Sequence, residues 1–166
     1  MANAEPVVVA ERRGIVEILR INRPEAKNAI NPEVSQAMAA ALDAVEDDPS
    51  VRAIVVTGTG DVFCAGADLK VVAQGRGAEI ANAKGGFGGL AMRDYPKPVI
   101  AAVQGPALAG GFELVLSCDL VVAADDARFG IPEVQRGLLA AAGGLIRLPK
   151  RVPLALALRS EEHTSE

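Results

Sequence analysis

A single carboxylate in an apolar, glycine-containing stretch is the feature of this sequence that most directly indicates chemistry. The stretch GPALAGGFEL, residues 105–114, places Gly110 and Gly111 just before Glu113. An ionised carboxylate is costly to bury unless it is paired or held neutral. Glycines at a helix start let backbone N–H groups approach a ligand, and two such donors directed at one oxygen form an oxyanion hole. The stretch therefore predicts a helix start that combines backbone donors with an acid–base group.

A second turn of small residues repeats part of this pattern. The segment CAGAD, residues 64–68, follows the strand-like VRAIVVTG and leads into the helical DLKVVAQ. Backbone N–H groups near Ala67 are then free to face a ligand oxygen, or the segment is an ordinary helix start capped by Asp68. A dinucleotide-binding GxGxxG motif beginning at Gly58 is excluded, because Phe63 stands where the third glycine is needed.

The elements that must position these two turns alternate between strands and helices. PVVVAE and IVEILRIN predict an opening hairpin, and EVSQAMAAALDAVEDD predicts a helix with Asn31 as N-cap and Pro32 at its first position. VRAIVVTG, PVIAAVQG and DLVVAAD are short continuous apolar runs, typical of strands buried in a sheet that helices flank. The pattern predicts an α/β fold whose sheet is largely parallel after the hairpin, with functional loops where strands end.

A glycine-rich segment, residues 74–94, separates the second apolar run from the first. It reads QGRGAEIANAKGGFGGLAMRD and holds six glycines between Gly75 and Gly89. This composition predicts a mobile segment, which is either a flexible surface loop or a lid over a ligand pocket.

Composition excludes several classes of protein. The 166 residues suit one domain, and a net charge of −4 argues against a nucleic-acid binder. The two cysteines, Cys64 and Cys118, lack CxxC spacing and a nearby histidine, so we predict buried thiols in a reducing compartment and no metal site. The opening MANAEPVVVAERRG is neither a secretory signal nor a membrane span, which predicts a cytoplasmic protein without a membrane partner.

The motifs FCAGADLK and KPVIAAVQGPALAGGFELVLSCDLVVAADDARFGIPE resemble the enoyl-CoA hydratase (crotonase) family in order, spacing and residue type. The resemblance continues through GIPEVQRGLLAAAGGLIRLPKRVP and so covers nearly all of the chain. It implies the ClpP/crotonase spiral of ββα units and an acyl-CoA thioester substrate, with no cofactor beyond the CoA of the substrate. It also implies a homo-oligomer, a trimer or hexamer, for the complete protein.

The resemblance assigns roles to individual residues. The N–H groups of Ala67 and Gly110 would form the oxyanion hole, and Glu113 and Glu133 would be the catalytic carboxylates. Glu113 would orient and activate water while Glu133 exchanges the proton at Cα. The implied substrate-binding and CoA-binding residues are Ala65, Ala67, Asp68, Leu69, Lys70 and Gly110.

Other interpretations stay open at this stage. Lys70 also fits a solvated surface lysine, and Glu133 fits a helix-start glutamate after Pro132. The reaction is hydration of a 2-enoyl-CoA, another crotonase-type reaction such as isomerisation or dehydration, or acyl-CoA binding without turnover.

The end of the sequence departs from the family pattern. After RVPLALAL the chain changes to the polar RSEEHTSE. We therefore expect residues 1–158 to be a crotonase catalytic core that is incomplete at its C-terminus. Residues 159–166 are expected to be a non-native or disordered tail.

Overall fold

The computed structural model describes residues 5–160, which form a five-stranded sheet with helices and two small sheets around it. The described strands are β1 (Val8–Arg13), β2 (Val16–Ile21), β3 (Ala53–Gly58), β4 (Ala81–Asn82), β5 (Gly86–Phe87), β6 (Val99–Val103), β7 (Ala107–Leu108), β8 (Leu120–Ala123) and β9 (Phe129–Gly130). The α-helices are α1 (Pro32–Glu46), α2 (Leu69–Ala73), α3 (Gly110–Ser117), α4 (Gly144–Arg147) and α5 (Leu154–Arg159). Short 3₁₀ helices span Pro24–Ala26, Gly77–Ile80, Pro132–Arg136 and Leu148–Lys150.

The main sheet has the order β1-β2-β3-β6-β8. β1 and β2 pair antiparallel as a hairpin, whereas β2, β3, β6 and β8 pair parallel to one another. This confirms the predicted hairpin and the predicted parallel sheet. Because β3 and β6 are parallel neighbours, their carboxyl ends meet at one edge of the sheet, and both predicted turns begin there.

Helix α1 forms as its capping signals predict. The Asn31 side chain accepts a hydrogen bond of 2.9 Å from the Val34 N–H, and Pro32 occupies the first helical position. The helix buries one apolar face, which includes Val34, Met38 and Leu42 and belongs to the same core as the inner residues of the sheet.

Strand β8 corrects one prediction from the sequence. DLVVAAD was predicted to be a buried strand, yet Leu120 is 61% exposed and Val122 66% exposed. β8 lies at the edge of the sheet, where it pairs only with β6, and the described residues cover neither of its faces. A continuous apolar run indicates a strand, but it does not indicate what packs against that strand.

The glycine-rich segment is folded and not irregular. It contains the 3₁₀ turn Gly77–Ile80 and the small hairpin of β4 and β5, and it buries the Ile80 side chain in the core. The Lys84 ammonium group pairs with the Asp43 carboxylate of α1 at 2.7 Å, which fixes the segment to that helix. Its mobility stays a prediction.

The C-terminal part of the described chain packs less completely. Leu154, Leu156 and Leu158 of α5 are each more than half exposed. α5 continues to Arg159, and the Ser160 carbonyl accepts a 3.0 Å hydrogen bond from the Ile131 N–H. The first two residues of the predicted tail therefore belong to the described structure, as the end of α5 and an acceptor for Ile131, and residues 161–166 lie outside the described residues.

Candidate active site

The turn after β3 and the turn after β6 lie directly against each other. The Leu108 N–H donates to the Cys64 carbonyl at 3.0 Å, and the Phe63 N–H donates to the Pro106 carbonyl at the same distance. Gly66 has φ +97°, and a Cβ at this position would lie 3.1 Å from the Gly110 nitrogen. The close approach requires glycine, and it brings the backbones beside Ala67 and Gly110 together.

The Ala67 amide is not used by the local backbone pairing. Ile30 forms a parallel bridge with Ala67, but its two hydrogen bonds go to the Gly66 carbonyl and the Asp68 N–H. Within residues 5–160, the Ala67 N–H has no backbone acceptor. Ala67 lines the same cavity as Gly110, so both residues with available amides border one space.

Gly110 is the first residue of α3, where amide groups have no acceptor within the helix. In the described part of the chain its N–H has no backbone acceptor either. Gly110 and Glu113 are three residues apart, so they lie on the same side of α3, and both line the cavity. One helix turn therefore presents an amide donor and a carboxylate to the same space.

Ala109 immediately precedes α3 and adopts an unusual backbone conformation. Its φ is 53° and its ψ is −132°, which resembles the first central residue of a type II′ turn, a position dominated by glycine. The Ala109 N–H donates to the Gly130 carbonyl at 2.9 Å, which holds this conformation in place. The sequence contained no signal for this strain, because alanine is not a typical residue at positive φ.

Glu113 is buried, with 3% of its surface exposed. Its Oε1 accepts hydrogen bonds from the Ala142 N–H and the Gly144 N–H, both at 2.8 Å. Among the described residues, Oε2 has no hydrogen-bond partner. The two amides hold one oxygen in place and leave the other available to a molecule in the cavity.

The environment of Glu113 acts on its protonation in two directions. Burial is the largest cause and raises the pKa of Glu113 above its ordinary value, because it disfavours the charged carboxylate. The two amide hydrogen bonds and the charge of Arg147 act in the opposite direction. A carboxylate with a raised pKa is a better proton acceptor than an exposed one, which suits a general base.

Glu133 lies in the first turn of the 3₁₀ helix Pro132–Arg136, partly buried, and lines the same cavity as Glu113. The proline precedes it at the first helical position, so the helix-start interpretation also describes its backbone. The structure thus places both predicted carboxylates around one cavity of about 1060 Å³.

All of the predicted CoA-binding residues border this cavity: Ala65, Ala67, Asp68, Leu69, Lys70 and Gly110. The Asp68 side chain has a structural role, because it accepts from the Lys70 N–H at 3.1 Å to cap α2 and pairs with Arg23 at 3.1 Å. This confirms the capping interpretation of Asp68. Lys70 is exposed at the rim, where its ammonium group is accessible to an anionic ligand.

Several cavity residues had no signal in the sequence. Phe87 and Met92 come from the glycine-rich segment, and Leu138, Leu139 and Ala142 come from the region after the 3₁₀ helix. The Phe87 ring packs on the backbone of Gly110, since a Cβ added there would lie 2.5 Å from its Cζ. The glycine-rich segment therefore forms part of the cavity wall, as the lid interpretation requires.

Other kinds of site find no support in the described chain. Cys64 and Cys118 are buried as predicted, and burial raises the pKa of each thiol to about 12, which makes them poor nucleophiles at neutral pH. Among residues 5–160, no group of three or more His, Cys, Asp or Glu side chains is arranged to hold a metal ion. Within the same residues, no helix combines the length and the hydropathy needed to cross a membrane.

Several known proteins resemble most of this chain. The chain is 44% identical over 147 residues to a carnitinyl-CoA dehydratase of Proteus mirabilis, covering 87% of this chain and 56% of that protein. It is 40% identical over 165 residues to the enoyl-CoA hydratase EchA19 of Mycobacterium tuberculosis, covering 95% and 62%. A crystal structure of an enoyl-CoA hydratase from Mycobacterium tuberculosis H37Rv superposes with a TM-score of 0.88 at 49% identity, covering 95% of this chain and 61% of that one.

These comparisons show the predicted crotonase fold. They also show how much of the length of its relatives this chain spans. The chain spans 56% to 62% of the length of the relatives it matches. The family model for enoyl-CoA hydratase/isomerase matches residues 11–161, which is most of the chain and includes both turns and both carboxylates. The chain therefore belongs to the enoyl-CoA hydratase/isomerase family.

Proposed function

We propose that this protein hydrates a 2-enoyl-CoA thioester to a 3-hydroxyacyl-CoA. The observation that carries the proposal is Glu113, a buried carboxylate held by two backbone amides beside the available N–H of Gly110. A base in that position suits the activation of water next to an activated thioester. The family membership supports a reaction of this class.

In the proposed mechanism the thioester oxygen accepts hydrogen bonds from the Ala67 and Gly110 amides. These donors stabilise the negative charge that develops on the oxygen when the enolate forms. Glu113 takes a proton from water, whose oxygen bonds to Cβ, and the π electrons move toward the carbonyl. Glu133 then delivers a proton to Cα, which regenerates the thioester carbonyl and leaves the saturated 3-hydroxyacyl product.

The other parts of the proposal concern binding and assembly. Lys70 at the rim is proposed to contact a phosphate of CoA as a point charge, and no cofactor beyond CoA is required. The complete protein is proposed to be a cytoplasmic homo-oligomer, a trimer or hexamer. The exposed apolar side chains of β8 and α5 support this assembly, because large exposed apolar patches mark contact surfaces.

Dehydration of a hydroxyacyl-CoA is the second candidate, since the carnitinyl-CoA dehydratase of Proteus mirabilis is among the similar proteins. The same residues would run the reaction in reverse. A carnitinyl group carries a quaternary ammonium, which proteins recognise with several aromatic rings. Among the described residues that line the cavity, Phe87 is the one aromatic side chain, which supports an apolar acyl chain instead.

The test is to add crotonyl-CoA and follow the loss of the conjugated thioester absorbance, with the product identified by mass and by chromatography. Formation of 3-hydroxybutyryl-CoA supports the proposal. A product of unchanged mass indicates isomerisation, and faster turnover of a carnitinyl-CoA than of 3-hydroxybutyryl-CoA favours the second candidate. Binding of crotonyl-CoA without any product contradicts hydration by this chain.

A further inference from the structure

Arg147, the last residue of α4, joins two parts of the cavity wall that are distant in sequence. Its Nη1 donates to the Ala142 carbonyl at 2.9 Å, and its Nη2 donates to the Ala91 carbonyl at 2.7 Å. Ala142 is one of the two residues whose amides hold Glu113, and Ala91 belongs to the glycine-rich segment. One side chain thus connects the support of Glu113 to that segment.

The peptide between the two supporting amides is enclosed on both sides. A Cβ added to Gly143 would lie 2.3 Å from Nη1 of Arg147, so the guanidinium group packs directly on this residue. A Cβ added to Gly144 would lie 3.0 Å from Oε1 of Glu113. The carboxylate and the guanidinium group therefore enclose residues 142–144 between them.

The second contact of Arg147 leads to the other side of the cavity. The Ala91 N–H donates to the Phe87 carbonyl at 3.1 Å, and the Phe87 ring packs on the backbone of Gly110. A shift of the glycine-rich segment would therefore reach both the candidate oxyanion donor and the peptide that holds Glu113. Arginine suits this role because its planar fork makes two directed bonds and stays charged.

We propose that Arg147 is a positioning residue for Glu113, which holds the peptide of residues 142–144 in its donating conformation and couples it to the glycine-rich segment. The consequence for catalysis rests on the proposed function. The expected effects on the pKa of Glu113 and on the amides that hold it do not depend on that function.

Several charged groups surround Glu113, and they determine how substitution of Arg147 would change the pKa of Glu113. The titratable side chains that share its cavity are Arg23, Glu25, Lys27, Asp68, Lys70, Glu133 and Arg136, and Arg147 comes from α4. The charge of Arg147 lowers the pKa of Glu113 and so opposes the effect of burial. Loss of this charge should therefore raise the pKa of Glu113 further.

The test uses the whole chain in three variants: Arg147→Gln, Arg147→Lys and the control Arg151→Gln. Arg151 lies on the same segment and also donates to a backbone carbonyl, that of Cys118, and within residues 5–160 none of its side-chain hydrogen bonds goes to residues 142–144. The pKa of Glu113 is measured by ¹³C NMR of the labelled carboxyl group, with Glu113→Gln to assign the signal. Hydrogen exchange of the Ala142 and Gly144 amides reports on the peptide.

Arg147→Gln should raise the titration midpoint of Glu113 and speed exchange of the two amides by about tenfold or more, as expected when hydrogen bonds from a charged donor are lost. Arg147→Lys keeps the charge without the fork, so the exchange should still accelerate while the midpoint moves less. Arg151→Gln should change neither quantity.

The proposal is overturned if Arg147→Gln leaves the midpoint and the exchange unchanged, or if Arg151→Gln changes them equally. It is also overturned if Arg147→Lys shows the same midpoint and the same exchange rates as the unsubstituted chain, because a positive charge alone would then suffice. If Arg147→Gln does not fold, the amide exchange of Arg147→Lys tests the proposal: faster exchange supports it and unchanged exchange overturns it. With crotonyl-CoA, Arg147→Gln should lower kcat more than it changes KM. NMR effects in a chain that hydrates nothing would support the positioning role and contradict the proposed function alone.

Discussion

The two turns that meet at the cavity each connect a strand to a helix. They differ in whether a side chain caps the first N–H groups of that helix. After β3, the Asp68 carboxylate caps α2 and pairs with Arg23, so its polar atoms are engaged in the structure. After β6, no side chain caps α3, the residue before the helix is the strained Ala109, and Glu113 binds amides from a distant segment. The first turn is stabilised locally, whereas the second depends on contacts made elsewhere in the fold.

Within this one site, the first turn therefore contributes to stability, and the second turn keeps groups available for the proposed chemistry. A capped and paired carboxylate stabilises its own turn and has few sites left for a ligand. An uncapped helix start keeps its donors available at a cost in stability, which the surrounding structure must offset. We therefore expect substitutions in the second turn to affect turnover and substitutions of Asp68 to affect folding.

The largest expected effect concerns the two carboxylates. Glu113→Gln and Glu133→Gln should each lower kcat by roughly 10²–10⁴, the range for one general acid–base group, because glutamine cannot transfer the proton. The double variant should lose much less than the product of the two factors, since the groups act as a unit. Steady-state kinetics with crotonyl-CoA measure this, and unchanged rates in both single variants would make the carboxylates structural.

Isotope exchange distinguishes the roles of the two residues. Exchange of the Cα proton of a saturated acyl-CoA in heavy water requires a base near Cα but no water at Cβ. Exchange should therefore survive Glu113→Gln better than Glu133→Gln. The opposite result would reverse the assignment.

The raised pKa of Glu113 also predicts how the pH should act. As the general base, Glu113 must be ionised, so kcat/KM should fall as the pH drops through the raised pKa. The free energy of unfolding depends on pH in the opposite direction. Folding favours the neutral form of Glu113, and this stabilising contribution is lost as the pH rises through the raised pKa. Chemical unfolding of Glu113→Gln should show a weaker loss of stability over this range, and an identical pH dependence in both chains would contradict the raised pKa.

The next largest effect concerns the backbone donors, one from each turn. Replacing the Ala67 or the Gly110 amide N–H with an ester oxygen removes a donor without adding a side chain. This matters at Gly110, where a Cβ would meet the Phe87 ring. Each ester should lower kcat by roughly 10²-fold or more, the loss typical of one oxyanion donor. An ester at Glu33, whose N–H is in the first turn of α1 and outside the cavity lining, is the control, and an equal loss there would argue against a specific role.

A smaller effect is expected on folding from the capped turn. Asp68→Ala removes the α2 cap and leaves the mostly buried Arg23 without its carboxylate, so the free energy of unfolding should fall by about 1–3 kcal/mol. Asp68→Asn keeps a capping oxygen and should lose less. Urea unfolding measures both variants, and an equal loss in the two would exclude the cap as a contributor.

The smallest effect has the opposite sign and comes from the strained turn. Ala109→Gly should raise the free energy of unfolding by about 1 kcal/mol, because relief of strain exceeds the entropy cost of glycine. Ala41→Gly in the interior of α1 is the control and should lower it by about 1 kcal/mol. Destabilisation by both substitutions would show that Ala109 is not strained.

The elements that surround the site could largely be predicted from the sequence. The cap at Asn31, the alternation of strands and helices, and the two small-residue turns all predicted structure that is present. Residue by residue, the family resemblance also predicted that Ala67, Gly110, Glu113 and Glu133 border one cavity.

The contacts between distant segments could not be predicted in this way. The exposure of β8 depends on what packs beside it, and the packing of Phe87 on Gly110 depends on how the glycine-rich segment folds back. Ala109 carries a conformation that its residue type does not favour. In each case the deciding neighbour is far away in the chain.

By itself, the sequence determined where the opening hairpin, helix α1, the parallel strands and the two small-residue turns lie, because capping, backbone preferences and hydrophobic periodicity act over a few residues. Only the tertiary structure decided the environment of Glu113. Its carboxylate is held by the Gly144 amide, 31 residues later in the chain, and Arg147 donates to the carbonyl of Ala142, two residues before that glycine. Such contacts form when packing closes long loops, so no local pattern of residues specifies them.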